Sequence, residues 1–258
     1  MAKNGTLKPS DWGRFMPAHS PQSQKGPWFY RKTEMVMVQF ETDAALVLRL
    51  LPSDLELMEP ATAFMVMEQN HQTTLGPYGE VYLGIMCMWK GEPYAYVPGV
   101  YVTGENSQIV GREVYGFGKK RCARFEIIKH DNGEVEAIME VNPGDRALRA
   151  VMMPSQNAPA DALGETPLIC LKIIPDVCDS DIPALAQLTS VSFTAQPLIG
   201  SDGKAEMFFG PGHIAMGCPS DVNIPVGKIL ASVYAHFNAD LPYGKVLKTY
   251  TSDDFKDK

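Results

Sequence analysis

From Thr33 onward the chain consists of short apolar stretches of alternating pattern cut by turn residues, and this punctuation most limits what it can fold into. The stretches are Met35–Phe40, Ala63–Glu68, Glu80–Trp89, Tyr94–Thr103 with a break at Pro98-Gly99, Ile109–Tyr115, Arg124–His130, Glu134–Val141 and Ala147–Met153. Leu168–Ile174, Leu188–Ala195 and Ala205–Phe209 continue the series. Each is too short for an ordinary helix and rich enough in β-branched and aromatic residues for a strand. Asp131-Asn132-Gly133 between two of them predicts a hairpin, because Asn and Gly tolerate the positive φ angles of a tight connection. Two segments read as helices: Ala44–Leu51, capped by Thr42 or Asp43 and stopped by Pro52, and Val226–Asn238, with apolar residues at helical spacing. Residues 1–27, rich in Pro, Ser, Gln and Gly, read as an irregular arm able to wrap a neighbouring subunit, and residues 28–258 as a single domain. The expected class is mainly β (α+β), an antiparallel sheet closed or curved, with a few peripheral helices.

Charge narrows the partners. Twenty-three basic against 30 acidic residues give a net charge of -7, which disfavours nucleic acid and anionic membrane surfaces and leaves small molecules and other proteins. The cluster Lys119-Lys120-Arg121 is too short and too apolar in its flanks to be a nucleic-acid patch. Five cysteines without CxxC spacing (Cys87, Cys122, Cys170, Cys178, Cys218) read as reduced, mostly core thiols. The N-terminus lacks an apolar signal core and no run approaches the ~18 apolar residues of a membrane span, so the expectation is a soluble, cytoplasmic protein, in which the Asn4-Gly5-Thr6 sequon is idle. Gly116-Phe-Gly118 lacks the third glycine of a dinucleotide fingerprint, and Gly210–Gly217 lacks the Lys-Ser/Thr of a phosphate loop. His19, His71, His130, His213 and His236 show no metal-ligand spacing, and no GxSxG elbow occurs. No cofactor and no metal are expected.

One segment carries chemistry. A Lys-Lys pair is ordinarily solvated surface. Here Ile109-Val110-Gly and Val114-Tyr-Gly-Phe117 lead into it, and Cys122, Phe125 and Ile127 follow. An amine placed in such surroundings sheds its proton or finds an anion, because burying an ammonium is costly. Lys119 is therefore the candidate nucleophile, with desolvation the larger cause of its neutrality. Repulsion from Lys120 assists, the smaller effect because an extended chain points the two side chains to opposite faces.

Gly111-Arg-Glu-Val-Tyr-Gly-Phe-Gly-Lys-Lys120, followed by Leu171-Lys-Ile-Ile-Pro175, resembles the acetoacetate decarboxylase superfamily, whose Schiff-base lysine is the first of the pair. That enzyme is itself the standard example of a lysine activated by a neighbouring cation and burial. The resemblance runs from about Trp28 to about Tyr243, with Thr42-Asp43 and Pro52 matching an early helix, Glu59-Pro60 a turn, and Tyr78-x-Glu80 a tyrosine and catalytic carboxylate. It implies a cone-like closed β-barrel and a homo-oligomer. It also implies that Lys119, Glu80, Lys120 and Tyr78 are catalytic. In an extended segment Tyr78, Glu80 and Tyr82 face one side, so Tyr82 joins them as a substrate contact. Arg112, within the motif, is a further substrate-binding candidate.

Two positions depart from the family pattern. Gap-free counting places the family's substrate-associated arginine on Thr33, with Arg31 two residues earlier and of the same strand parity. It places a second active-site glutamate on Met65. Loss of a carboxylate and its partner together suits a pocket rebuilt for other chemistry. The expected function is therefore a Schiff-base lyase on a small keto acid, with aldol condensation and dehydration of pyruvate or another 2-keto acid with an aldehyde preferred. Decarboxylation of acetoacetate or a related β-keto acid is the alternative, and a keto-acid-binding module without turnover the third. Whether Tyr234 or Tyr243 completes the pocket is left open.

Overall fold

Alternation prevails along almost the whole chain. The computed structural model describes residues 4–162, 164, 166–178, 181–217 and 222–255, which form two β-sheets and a few short helical turns. The larger sheet has fourteen strands, ordered from Gln156–Asn157 through Met207–Phe209, Ile229–Leu241, Trp28–Glu41, Thr62–Thr73, Tyr78–Trp89, Glu92–Tyr96, Leu168–Ile174 and Leu185–Val191 to Lys245–Tyr250, with four short strands off this path. The smaller is Gly212–Met216, Arg146–Met152, Val135–Glu140 and Arg124–Lys129. The predicted hairpin joins the last two, with Lys129 paired to Val135 and Gly133 at φ 88°. Nearly all pairings are antiparallel; the described sheets are open, with no pairing between Gln156–Asn157 and Lys245–Tyr250, so the expected closed barrel is not what the strand order gives.

Period-two alternation assigns the large sheet's two faces to different tasks. One face presents Val36, Val38, Phe40, Ala63, Met65, Met67, Val81, Leu83 and Ile85 to a core completed by Val135, Ala137, Met139, Leu148, Ala150 and Met152 of the small sheet. Side chains such as Met65, Leu83 and Ile85 have no exposed surface there, and each contributes ~1.5–3 kcal/mol. The opposite face, carrying Met35, Val66, Tyr78 and Phe237, belongs to a second apolar cluster with Val110, Tyr115 and Phe117. Phe15 of the N-terminal arm is buried in that second cluster, so part of the arm packs on its own chain.

Three expectations fail for one reason each. Val226–Asn238 is not helical: Ile229–Leu241 is a central strand, and because both of its faces are covered its apolar residues lose the alternation that marks a strand. Ile109–Tyr115 is not a strand: Glu105–Val110 is α-helical and Gly111–Tyr115 continues as a π-turn, closed by Gly116 in the left-handed region at φ 84°. Ala44–Leu51 shrinks to one turn, Ala44–Val47, although Asp43 caps it by accepting from the Leu46 amide. Cys87, Cys122, Cys170 and Cys178 are unpaired, and Cys218 lies outside the described residues. No helix among the described residues is long and apolar enough to cross a membrane.

Candidate active site

The second face of the large sheet floors a cavity of about 270 Å³, closed over by Ser107, Val110, Gly111, Tyr115, Phe117 and Lys119. Strand register arranges the floor in rows about 7 Å apart, two residues of rise each. Thr33 pairs with Asn70 and Asn70 with Tyr78; Met35 with Glu68 and Glu68 with Glu80; Met37 with Val66 and Val66 with Tyr82; Gln39 with Phe64 and Phe64 with Gly84. A polar row, a carboxylate row and two mostly apolar rows thus follow one another.

Lys119 enters from the short strand Lys119–Arg121, which pairs in parallel with Val100–Val102 beside the Tyr82 row. Its side chain is buried, and Nζ donates to Glu80 Oε2 at 3.0 Å and to Ser107 Oγ at 2.8 Å, with the Tyr78 and Phe117 ring centres each 5.6 Å away. At that separation the amine and the carboxyl group are placed to exchange a proton. Three further contacts hold the lysine. Gln108 and Arg112 side chains donate to its carbonyl, and its amide donates to the Phe117 carbonyl. Lys172, of the downstream Leu171–Pro175 motif, lies so close to Gly116 that a Cβ there would stand 2.5 Å from the Lys172 Cα. The Lys172 amine donates to the Val114 carbonyl, so the two motifs are packed together.

Gly111 lets the stem through. A Cβ at that position would lie 2.5 Å from Lys119 Cδ and 2.6 Å from Cε. Gly111→Ala suits a helical backbone but displaces the amine, and a misplacement near 1 Å costs ~100-fold. The expected outcome is that loss in kcat with an unchanged thermal unfolding midpoint.

The other expected residues divide. Tyr78, Glu80 and Tyr82 face the cavity together. Burial, reinforced by the Glu80 charge for Tyr78 and by Glu68 and Glu80 for Tyr82, pushes both phenols well above their usual range, so they remain neutral; Tyr78 donates to the Tyr30 hydroxyl at 3.1 Å. Lys120 is exposed, on the other side of its strand from Lys119. Water-screened repulsion across a strand is weak, so Lys120→Met is expected to change kcat by less than about threefold in steady-state assays. Arg112 stays outside the cavity, at the Lys119 carbonyl. Arg31 does not share the parity of Thr33, because Lys32 adopts φ 56° and the register against Ile229–Leu241 shifts between Tyr30 and Thr33. That bulge turns Arg31 outward onto Asp240 at 2.9 Å and leaves Tyr30 and Thr33 both facing inward. Tyr234 donates to Glu34, and Tyr243 accepts from the Gly26 amide against Trp28; neither lines the cavity.

Sequence reasoning missed three contributors. Met65 sits in the other core, so the second carboxylate is not lost: Glu68 faces the cavity opposite Glu80. Burial, then the Glu80 charge, push its carboxyl up to about 8, so Glu68 is a neutral acid at pH 7. Ser107 falls between the segments read as strands, Tyr94–Thr103 and Ile109–Tyr115; on the helix Glu105–Val110 it shares a face with Gly111 four residues on, and both touch Lys119. Asn70 is fully buried, accepts from Thr33 Oγ1 at 2.9 Å, and sets its side-chain amide beside the Glu68 carboxyl. Lys119 is the sole cation among the described lining residues.

Known proteins match the chain along most of its length. The family model for acetoacetate decarboxylase matches residues 15–251. "Acetoacetate decarboxylase" of Acidiphilium cryptum is 26% identical over 244 residues, 91% of this chain and 94% of that protein. The crystal structure of acetoacetate decarboxylase from Legionella pneumophila superposes with a TM-score of 0.81 at 24% identity, covering 97% and 99% of the two chains. The enduracididine biosynthesis enzyme MppR, complexed with the condensation product of pyruvate and imidazole 4-carboxaldehyde, superposes with a TM-score of 0.73 at 18% identity over 95% and 99%.

Proposed function

The chain belongs to the acetoacetate decarboxylase family, and from that premise we propose that it decarboxylates a β-keto acid through an iminium formed on Lys119. The neutral amine attacks the ketone carbon. Glu80, 3.0 Å from Nζ, takes up and returns the protons that turn the carbinolamine into iminium and water. The bond to the carboxylate then breaks, its electron pair passes to the iminium nitrogen as an enamine, and CO2 leaves. The carboxylic acid of Glu80 or Glu68 protonates the enamine carbon, and hydrolysis frees the ketone and Lys119.

The observation that carries this reading is the missing second cation. The substrate carboxylate meets Asn70, Thr33 and two glutamates, but no arginine or second lysine among the described lining residues. A carboxylate departing as CO2 disperses its charge and is favoured by such surroundings, whereas one retained through the reaction would be left uncompensated. The aldol reading keeps support of its own: Glu68 as a neutral acid beside Glu80 and Lys119 supplies separate proton donor and acceptor for carbon–carbon bond formation and dehydration. Supplying acetoacetate alone, and pyruvate with an aldehyde, separates the two. CO2 release from the former supports decarboxylation; a conjugated product from the latter without CO2 release overturns it.

Glu68 gives the reaction a pH dependence. Its acid form is present below about pH 8, so kcat is expected to fall as pH rises through that value, and Glu68→Gln to lack this alkaline limb. Stability follows the same proton. The folded chain holds a proton that the unfolded chain releases from the ordinary carboxyl range upward, so this contribution is full at low pH and is lost as pH rises through about 8. Glu68→Gln should flatten that slope in unfolding titrations.

A further inference from the structure

We infer that the β-keto acid carries an apolar acyl substituent larger than methyl, seated along Met37, Val66, Phe64 and Met86; this rests on the iminium reading above.

The argument is one of direction and volume. Around the Glu68–Glu80 row the floor is asymmetric. On one side lies the polar row of Thr33, Asn70 and Tyr78, whose uncharged side chains can orient a carboxylate without neutralising it. On the other side lie two rows, Met37–Val66–Tyr82 and then Gln39–Phe64–Gly84, in which Gln39 and the Tyr82 phenol are the polar groups. A β-keto acid bound as an iminium has two arms. Its carboxylate arm fits the polar side; the other arm must then run over the apolar rows, which extend about 14 Å at two residues per row.

The size of the cavity points the same way. About 270 Å³ has room for about nine waters at ~30 Å³ each. Bonded atoms take less space than waters, so a four-carbon keto acid leaves a large part unfilled. Leu168 and Phe193 add apolar wall, as do Phe237 and Leu241 next to Thr33 and Trp28, while Thr166 and the Tyr30 phenol are polar. Gly84 contributes to the shape, since a Cβ there would stand 2.3 Å from Phe64 Cζ; the ring occupies the space of the absent side chain and meets Tyr82 edge-on with centroids 6.4 Å apart. A charged arm would find no counter-ion along these rows. The balanced reaction takes up one proton, converting R–CO–CH2–COO⁻ to R–CO–CH3 and CO2, and every group it needs is already in the site.

The test is a length series of straight-chain β-keto acids beginning with acetoacetate, together with benzoylacetate, with kcat/KM for CO2 release as readout and borohydride trapping run in parallel on each. The expected result is a rise of about fourfold per added methylene until the cavity is filled. Val66→Phe, which narrows the first apolar row, should move the optimum to shorter chains. A kcat/KM that is flat or falls with length, while adducts still form on Lys119, overturns this inference alone. Absence of adducts with every member overturns the iminium reading and this inference with it.

Discussion

Lys119→Met lowers turnover by ~10⁴-fold or more while leaving the fold in place, the first of two large effects expected at this site. The loss is that large because the amine is the electron sink: without the iminium the carbanion formed as CO2 leaves has nowhere to place its charge. Methionine keeps an unbranched stem in the channel that Gly111 leaves open, so the cavity retains its shape. The measurements are steady-state CO2 release and thermal unfolding. A variant that retains a tenth of the activity with a normal midpoint contradicts the assignment of Lys119 as nucleophile.

Glu80→Gln is expected to separate binding from chemistry. Glutamine still offers Nζ an oxygen at the same place but cannot carry the proton, and loss of a positioned acid–base group costs ~10²–10⁴-fold. Removing one member of a buried ion pair also destabilises, by ~3–5 kcal/mol where the remaining charge has no escape. The expected combination is slow CO2 release, a lowered unfolding midpoint, and iminium that still accumulates and is trapped by borohydride. Fast turnover in this variant would transfer the acid–base role to Glu68.

Much of this site can be read in the sequence, and the part that cannot shares a physical cause. Lys119, Glu80, Tyr78 and Tyr82 are legible because a ten-residue motif and a single polar parity mark them, and the structure keeps all four on one cavity. Glu68 is not, because the Thr62–Thr73 strand is covered on both sides and Phe64, Met65, Val66 and Met67 hide which parity faces the substrate. Gap-free counting therefore puts a carboxylate position on Met65, which faces the other core. Arg31 misleads through a bulge: one positive φ at Lys32 breaks the parity on which its expected role depended. The fold shows the same limit. Burial on both faces gives Ile229–Leu241 the appearance of a helix. A π-turn with glycine at either end gives Ile109–Tyr115 that of a strand. Cross-strand pairing, the information that brings Glu68 opposite Glu80, lives in register between segments and not in either segment alone.

That Lys119 forms a covalent iminium with a keto acid is the claim on which everything else stands. Incubating the protein with a β-keto acid, reducing with borohydride and mapping the adduct by mass spectrometry tests it directly. A substrate-derived mass on the peptide containing Lys119, absent without substrate and absent in Lys119→Met, is the predicted result. An unmodified Lys119 in a protein that still binds the keto acid, or a label on another lysine, would contradict the account and leave a binding module in its place.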